Sequence, residues 1–301
     1  MSSSDEPFDV IVIGGSYAGL SAALQLARAR RWVLVIDAGE PRNEVAEHSH
    51  GFLGRDGAAP GQISAQARDE LLAYPSVQWQ EGRAVQATAI RQGFEVHCAS
   101  GERFEGRHLV LAYGVRDELP EIEGLAERWG RSVFHCPYCH GYEIAGGRIG
   151  VVSCSPDGAA QQALLLTDWG QVTLFRHPDE DEDIGELGPR LAERGVAVER
   201  SAVQRISGTA TLELGDGRSV EMDALFISPP SRLSSNLAEQ LGCGLEDGGC
   251  ITTDAAKQTT VDGVFACGDA ARMAGSIALA VGEGALAGVA AHRSLLGLLE
   301  R

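Results

Sequence analysis

The sequence predicts an α/β fold, and three observations lead to this prediction. Near the N-terminus, a short apolar run, a glycine-rich turn, a helical pattern and a second apolar run follow one another over residues 10–37. Residues 148–175 repeat the order strand, helix and strand, and residues 264–292 add a further strand and helix. Strands that alternate with helices form parallel sheets with helices on both faces. We therefore expect two Rossmann-like, three-layer dinucleotide-binding domains.

The first unit begins with the segment FDVIVIGGSYAGLSAALQLARARRWVLVIDAGEPRN. Residues 10–13 are predicted to form a buried strand, residues 18–30 a helix, and residues 32–36 a second buried strand that ends in Asp37. Asp37 follows Gly14 by 23 positions, close to the separation of about 20 expected between the first glycine and the acidic residue of a dinucleotide-binding turn. The complete arrangement, rather than the glycines alone, predicts nucleotide binding.

The residues of this turn have distinct predicted roles. Gly14 allows the tight turn, Gly19 lets the helix pack against the strand, and Asp37 accepts a hydrogen bond from a ribose hydroxyl. The helix N-terminus stabilises a pyrophosphate. Ser16 replaces the second glycine, but its small side chain still lets a pyrophosphate approach. The predicted contacts of the turn are Gly14, Gly15, Ser16, Tyr17, Ala18 and Gly19.

The C-terminal segment TTVDGVFACGDAARMAGSIALAVGEGALAGVAAH predicts a strand over residues 264–267 and a helix over residues 277–292. Its glycine-aspartate pair, Gly268 and Asp269, completes a pattern that resembles the second FAD motif of flavoproteins with two dinucleotide-binding domains. The resemblance implies that Asp269 binds the ribityl chain of FAD and that the following helix directs its N-terminus at the flavin. It also implies cofactor contacts at Ala38, Arg42 and Ala278.

Two motifs of one FAD site thus stand at opposite ends of the chain, so the FAD-binding domain must be discontinuous. We expect it to comprise residues 1–115 and 245–301, with the second domain inserted at 116–244. The segment LVLAYGVRDELPEIEGL resembles the exit from the FAD domain in these flavoproteins, although Tyr113 replaces a threonine there.

The inserted domain resembles an NAD(P)H domain, yet its nucleotide turn is altered. The chain has SCSPDG at 153–158, where the resemblance predicts GxGxxG or GxGxxA. Serines occupy two of the glycine positions, and Asp157 places a negative charge where a pyrophosphate would bind. Arg176 and His177 follow the next strand, and the acidic run at 179–183 after them disfavours a 2′-phosphate. We expect this domain to keep the fold but to be poorly equipped to bind NAD(P)H.

The segment VFHCPYCHGYE, taken alone, leaves four chemistries open: c-type haem attachment, zinc binding, a glutaredoxin site, and electron exchange with a flavin. Haem is disfavoured because no signal peptide is expected. Zinc is disfavoured because Cys136 and Cys139 supply only two of about four ligands, so no metal site is predicted. A glutaredoxin site is disfavoured because the motif lies between two nucleotide-type folds. The flavin option fits the predicted architecture.

The whole chain resembles the low-molecular-weight thioredoxin reductase family, class II of the pyridine nucleotide-disulfide oxidoreductases. The resemblance is strongest in IVIGGSYAGLSAA, FHCPYCHGYE and GVFACGDAA. It implies a redox-active disulfide in which Cys139 faces the flavin and Cys136 exchanges with the substrate. His140 stands where thioredoxin reductases carry an acid–base aspartate. Together with the altered turn, this histidine resembles the branch of FAD-dependent dithiol oxidases.

This resemblance suggests how the thiols react. A CxxC motif at a helix N-terminus is expected to have a lowered thiol pKa, and His140 is predicted to take and give the proton. The leading hypothesis is an FAD-dependent oxidase of a small-molecule or thioredoxin-like protein dithiol, with O2 as electron acceptor. Two alternatives stay open: an NAD(P)H-dependent thioredoxin or disulfide reductase, and a non-enzymatic flavin redox sensor. The resemblance also implies a homodimer.

Composition narrows the partners and the compartment. The formal net charge of −17 disfavours nucleic acid. The N-terminus lacks a basic region, and the longest apolar stretch, residues 275–291, contains Glu283, so we expect neither a signal peptide nor a membrane span. A cytoplasmic protein is therefore predicted. The cysteines outside the motif are expected to be small buried hydrophobes, namely Cys98, Cys154, Cys243, Cys250 and Cys267.

Overall fold

The structure is a computed structural model that describes residues 6–176, 186–273 and 275–299, without the side chains of Pro156 and Asp157. The sequence-based predictions about the Asp157 charge, His177 and the acidic run at 179–183 lie outside the described residues. No helix in the described part of the chain is long and apolar enough to cross a membrane.

The chain forms two compact units. The first unit consists of Met1–Glu44, Gly61–Arg116 and Arg232–Arg301, and the second consists of Val45–Pro60 and Asp117–Ser231. Two segments differ from the predicted division. Residues 232–244 belong to the first unit because Leu237 and Ala238 are fully buried in its core. Residues 45–60, predicted to lie in the FAD-binding domain, belong to the second unit.

Within its described residues, the first unit is built on a seven-stranded sheet in the order β3-β2-β1-β6-β5-β4, with β17 also paired to β6. Strands β1, β2, β3, β6 and β17 are parallel, while β5 pairs antiparallel with both β6 and β4. The strands are β1 (Phe8–Ile13), β2 (Val33–Asp37), β3 (Val77–Glu81), β4 (Ala84–Ile90), β5 (Gly93–Cys98), β6 (Arg103–Leu111) and β17 (Val264–Ala266).

Strand β6 has two partners on the same side. Its first half pairs with β5 through residues 103–106, and its second half pairs with β17 through residues 109–111. Successive residues of β1 pack into different cores: Ile11 and Ile13 into one, Val10 and Val12 into the other. A sheet covered on both faces needs apolar residues at every position, which explains the uninterrupted apolar run that the sequence shows there.

Helices α1 and α7 pack closely together in the second of these cores. A side chain at Gly284 would overlap the carbonyl group of Ala18, and one at Gly288 would overlap that of Ala22. Glycine at these two positions therefore allows the helix backbones to touch. The helices of the first unit are α1 (Tyr17–Arg28), α2 (Pro60–Leu72), α6 (Leu237–Leu241) and α7 (Ile277–Leu295).

The second unit contains, among its described residues, a five-stranded parallel sheet in the order β11-β10-β9-β15-β8 and a three-stranded antiparallel sheet β12-β13-β14. Strands β7 (Val115–Asp117) and β16 (Ser231–Leu233) pair where the chain passes between the units. The remaining strands are β8 (Val133–Phe134), β9 (Arg148–Val152), β10 (Gln171–Phe175), β11 (Ala197–Glu199), β12 (Val203–Ser207), β13 (Thr211–Leu214), β14 (Ser219–Glu221) and β15 (Ala224–Ile227). The helices are α3 (Pro137–His140), α4 (Pro156–Leu166) and α5 (Leu187–Glu193).

The predicted α/β class with two Rossmann-like units is confirmed. Strand β9, helix α4 and strand β10 follow one another over residues 148–175 as predicted, while α1 ends at Arg28 and α7 continues to Leu295. The β4–β5 hairpin and the three-stranded sheet are additions that the sequence analysis did not predict.

Candidate active site

The glycine turn after β1 leaves no room for side chains at two positions. Gly14 has φ +105°, a conformation that other residues rarely adopt, and its amide donates to the Ile36 carbonyl at 2.9 Å. A side chain at Gly14 would overlap the Ala112 carbonyl, and one at Gly19 would overlap the carbonyl of Gly14. The turn thus holds the N-terminus of α1 directly against the end of β1, as predicted for a pyrophosphate cradle.

Asp37 is tied to this turn by a hydrogen bond. Its Oδ1 accepts from the Gly15 amide at 2.9 Å, which leaves Oδ2 for a second partner. A side chain on Gly15 would approach Asp37 Cγ to 2.7 Å, so glycine is needed here too. The carboxylate is therefore held at the end of β2 beside the N-terminus of α1, where a ribose hydroxyl would be recognised.

A second set of contacts follows β17. Gly268 has φ +69°, and its amide donates to Glu283 Oε2 at 3.0 Å. Asp269 Oδ2 accepts from Arg42 Nη1 at 2.9 Å. Glu283, buried on α7, also accepts from Lys257 Nζ at 2.7 Å and from Arg272 Nη1 at 3.0 Å. The Gly268–Asp269 turn is thus fixed from both sides, by Glu283 and by Arg42.

The N-terminus of α7 follows this turn. Ser276 caps the helix, because its Oγ accepts from the Leu279 amide at 3.1 Å. Amides in the first turn of a helix have no partner within it, and the dipole of a long helix favours negative charge there. Residues 277 and 278, which open α7, are therefore suited to contact a group that gains negative charge, such as a reduced flavin.

The first unit gathers every residue predicted to contact the cofactor. Besides the groups described above, Tyr17 Oη accepts a hydrogen bond from Asn43 Nδ2 at 3.2 Å, and burial raises the Tyr17 pKa. Glycine positions that exclude side chains, a fixed carboxylate at each strand end and two helix N-termini fit a dinucleotide such as FAD. The residues are Gly14, Gly15, Ser16, Tyr17, Ala18, Gly19, Asp37, Ala38, Arg42, Gly268, Asp269 and Ala278.

The predicted redox cysteines lie in the second unit. Cys136 and Cys139 form a disulfide, and their Cα atoms are 5.3 Å apart. Cys136 is the N-cap of α3, which has Pro137 at its first position and only four residues. A helix of one turn has a small dipole, so the predicted lowering of the thiol pKa by a helix N-terminus is weak here. The adjacent His140 is therefore the stronger candidate for an acid–base group.

His140 is the last residue of α3 and is half-buried. Its ring stacks on Phe134, with the ring centroids 4.2 Å apart. Burial lowers the pKa of His140, the charge of Glu143 raises it, and His50 lowers it. Burial is the largest of these effects, so the neutral imidazole is favoured and is able to accept a proton.

Two further residues near His140 were missed by the sequence analysis. Glu143 follows three positions later, and its Oε1 lies 3.5 Å from His50 Nε2. The other ring nitrogen of His50, Nδ1, lies 3.5 Å from Asp56 Oδ1. His50 belongs to a stretch without a recognisable motif, so no sequence signal connected it with the disulfide.

The altered nucleotide turn of the second unit follows β9. Ser155 is the N-cap of α4, and a side chain at Gly158 would lie 2.8 Å from Ser155 Oγ. Arg176, the arginine next to the end of β10, is only 5% exposed. A buried guanidinium is not available to a 2′-phosphate, and the serines add side-chain bulk where glycines would let a pyrophosphate approach.

The five other cysteines form no disulfide. Four of them are buried as predicted, whereas Cys154 is only half-buried. Among the described residues, no three His, Cys, Asp or Glu side chains are grouped so that they could hold a metal ion.

Comparison with known proteins gives full-length matches. The model of the pyridine nucleotide-disulphide oxidoreductase family matches residues 8–284. Thioredoxin reductase tcpT of Claviceps purpurea (strain 20.1) is 34% identical over 304 residues, which cover 96% of this chain and 94% of that protein. Thioredoxin reductase sirT of Leptosphaeria maculans is 31% identical over 312 residues, which cover 96% of this chain and 95% of that protein. The solved structure of an oxidoreductase from Agrobacterium tumefaciens is 54% identical, with a TM-score of 0.93, and covers 97% of this chain and 99% of that one.

Proposed function

This chain belongs to the pyridine nucleotide-disulphide oxidoreductase family, and from this premise we propose that it is an FAD-dependent dithiol oxidase that passes electrons from its substrate to O2. The family and the thioredoxin reductase-like relatives make the chain a disulfide oxidoreductase. The observation that supports the oxidase direction is the altered turn of the second unit, in which serines replace two glycines, together with the burial of Arg176 after β10. Without efficient NAD(P)H binding, electrons must enter as substrate thiols.

The chemistry of the cysteine pair follows from thiol–disulfide exchange. A substrate thiolate attacks Cys136 Sγ, the bond between Cys136 and Cys139 breaks, and Cys139 leaves as a thiolate. The second substrate thiol gives its proton to His140 and attacks the substrate sulfur of the mixed disulfide, which releases the Cys136 thiolate. The substrate leaves as a disulfide, and Cys136 and Cys139 keep its two electrons.

The first unit supplies the cofactor site. We propose that Asp37 binds the ribose, the N-terminus of α1 the pyrophosphate, Asp269 the ribityl chain, and the N-terminus of α7 the flavin. FAD, when bound, supplies a two-electron carrier between the reduced cysteine pair and O2.

The substrate is proposed to be a small-molecule dithiol or a thioredoxin-like protein. Tyr138, between the two cysteines, is 71% exposed, and its ring contacts Trp169 edge to face at 5.6 Å between centroids. An exposed tyrosine ring beside the disulfide supports a substrate with an apolar surface.

An anaerobic titration of the FAD-loaded protein tests the direction of electron flow. We expect a dithiol such as dithiothreitol to bleach the flavin band near ~450 nm, and NADPH or NADH to leave it unchanged, because the nucleotide turn is altered. Readmitted O2 should restore the band and sustain repeated turnover. Rapid bleaching by NADPH would instead support a reductase, and a single cycle without steady O2 consumption would indicate a redox sensor.

The reductase is the second candidate, because tcpT and sirT are both named thioredoxin reductases. In that case NADPH would reduce Cys136–Cys139 by way of the flavin, and a thioredoxin-like disulfide would accept the electrons. The same titration separates the two candidates.

We also propose a homodimer formed through α7. The face of α7 away from α1 exposes apolar side chains at helical spacing, with Leu286 53% exposed. An exposed apolar stripe on a helix that already buries its other face supports a contact with a second copy. The stripe consists of Leu279, Leu286 and Val289 on α7 and of Leu296, which directly follows the helix.

A further inference from the structure

The segment Val45–Pro60, here called the strap, places a second histidine close to the disulfide helix. The strap belongs to the second unit although it precedes the rest of that unit by more than 50 residues. Its His50 meets Glu143, which lies just beyond α3. Neither residue is part of the motif from Cys136 to His140, and neither has a role in the exchange steps described above.

The strap holds His50 in a defined position. The Ser49 amide donates to the Ala58 carbonyl at 2.9 Å and closes the strap into a loop. Within this loop, the Gly51 amide donates to Asp56 Oδ1 at 2.8 Å, the same oxygen that lies 3.5 Å from His50 Nδ1. The His50 side chain is 21% exposed, whereas that of Asp56 is 72% exposed. The imidazole is thus fixed between an exposed carboxylate and Glu143.

The charges of His50 and Glu143 act on His140 in opposite directions. A negative Glu143 stabilises the protonated form of His140, and a protonated His50 destabilises it. Glu143 also lies against His50, so one carboxylate faces both imidazoles. The two histidines therefore compete for one carboxylate.

We propose that His50 and Glu143 are positioning residues that set the protonation of His140, and that Asp56, His50 and Glu143 form a line along which its proton exchanges with solvent. This inference rests on the proposed function, because the proposed dithiol oxidation is the reaction in which His140 accepts a proton. It adds the strap, which is distant in sequence, to the segments that act on the disulfide reaction.

In the described part of the chain, two segments carry the titratable and charged groups of this line. The strap contributes Glu47, His48, His50, Arg55 and Asp56, and α3 with the turn after it contributes Tyr138, His140, Tyr142 and Glu143, while the two cysteines titrate only when reduced. Phe134, which stacks on His140, carries no charge. Keeping Cys136–Cys139 oxidised therefore removes the thiols from the titration.

Proton–carbon NMR on the oxidised, FAD-loaded protein with labelled histidines measures this competition. The His140 signal is assigned by its loss in His140→Gln. We expect Glu143→Gln to lower the His140 pKa by about half a unit or more, and His50→Gln to raise it by a similar amount, because the charges removed have opposite signs. Asp56→Asn is expected to act in the same direction as His50→Gln, since it removes the carboxylate that favours a proton on His50.

His48→Gln is the matched control. His48 lies on the same strap, but it is exposed and its Nδ1 lies against the Gly57 carbonyl at 3.2 Å, so it should leave the His140 signal unchanged. Shifts in the same direction for Glu143→Gln and His50→Gln, or no shift in either, would overturn the proposal. Circular dichroism verifies folding of each variant, and the exposed Asp56 provides a variant with little risk to the fold.

The rate of flavin reduction by dithiothreitol between about pH 5.5 and 9 supplies the second readout. Its midpoint should follow the NMR shift in each variant. Opposite NMR shifts without a change in the pH dependence of the rate would support the effect of His50 and Glu143 on His140. They would contradict the role of His140 in the proposed oxidation. Failure of this inference and failure of the proposed function therefore give different results.

Discussion

At the scale of single residues, the proposed acid–base group beside the disulfide is His140. Burial against Phe134 lowers its pKa, so the neutral ring predominates near pH 7. A neutral imidazole accepts a thiol proton, whereas the protonated ring cannot. Thiol oxidation should consequently fall as the pH decreases through the His140 pKa, which lies below its usual value.

His140→Ala should slow the reduction of the Cys136–Cys139 disulfide by dithiothreitol by about 100-fold at pH 7–8, a usual effect of losing a general base. The rate should also depend less steeply on pH below 7, because the His140 titration is gone. Stopped-flow measurement of flavin bleaching gives both quantities. His135→Ala, which changes the histidine on the other side of the motif, serves as the control with an unchanged rate. An unaltered rate in His140→Ala would remove this histidine from the mechanism.

Residues in local motifs were predictable from the sequence, and residues brought together by the fold were not. Gly14, Gly19 and Asp37 stand at spacings that the turn requires, so their positions followed from the chain itself. His50 contacts Glu143 only because the strap packs with the rest of the second unit. Nothing in its neighbours along the sequence indicates that contact.

At the scale of secondary structure, the two helices of the cofactor site depend on their mutual contact. Helix α1 begins at the glycine turn and α7 begins beside Asp269, and their backbones touch at Gly284 and Gly288. A displacement of either helix would move one end of the cradle. Cofactor affinity and stability should therefore change together when this contact is disturbed.

Gly284→Ala should lower the free energy of unfolding by about 1–3 kcal/mol, because its new methyl group would overlap the Ala18 carbonyl. It should also weaken FAD binding, since Ala18 lies in the first turn of α1. Urea unfolding and fluorescence titration of the apoprotein with FAD measure the two effects. Gly282→Ala on the same helix has no atom within 4 Å of the new methyl group and should be neutral or stabilising. Equal behaviour of the two variants would contradict this account of the helix contact.

Among the strands that sequence analysis missed, β4 lacks a regular pattern of burial, whereas its partner β5 alternates between half-buried and buried residues. Strand β4 has the first and fourth of its seven residues buried and the others exposed, which is neither the alternation of a half-buried strand nor the run of a central one. Strands β1 and β2, in contrast, are buried almost throughout, and both were predicted. Burial on both faces of a sheet produces a continuous apolar run in the sequence, whereas the edge strand β4 produces no recognisable pattern.

At the scale of the whole molecule, the apolar stripe on α7 is the surface expected to join two copies. Leu286 lies at its centre and is exposed in the single chain. The opposite face of α7 is already buried against α1, so the stripe has no partner within the described first unit.

Leu286→Asp should convert the dimer into a monomer of 31.8 kDa, because a carboxylate would be buried without a partner in the contact. Light scattering after size-exclusion chromatography measures the mass. Leu53→Asp, which adds the same charge at a residue 96% exposed on the strap, should leave the dimer intact. If the unaltered protein elutes as a monomer, or if both variants remain dimeric, α7 is not the contact.

The division into two units was predictable only in outline. Two motifs at opposite ends of the chain implied a discontinuous domain, but motif spacing does not show where individual segments pack. Helix α6 joins the first unit because Leu237 and Ala238 fill its core, and the strap joins the second although its sequence neighbours do not. Such assignments depend on tertiary contacts.

The split pairing of β6 has a consequence for the order in which the chain folds during synthesis. Leu109 pairs with Val264, so the ribosome must add 155 further residues before the second half of β6 gains its neighbour β17. Until then, residues 109–111 pair with β1 on one side only and lack a strand on the side of β17, and unpaired apolar edges attract other chains. Residues 117–231 leave the ribosome during this interval and already contain all strands of the five-stranded sheet. The inserted unit can therefore fold first, and the cofactor cradle is completed only when the last strand and helix have emerged.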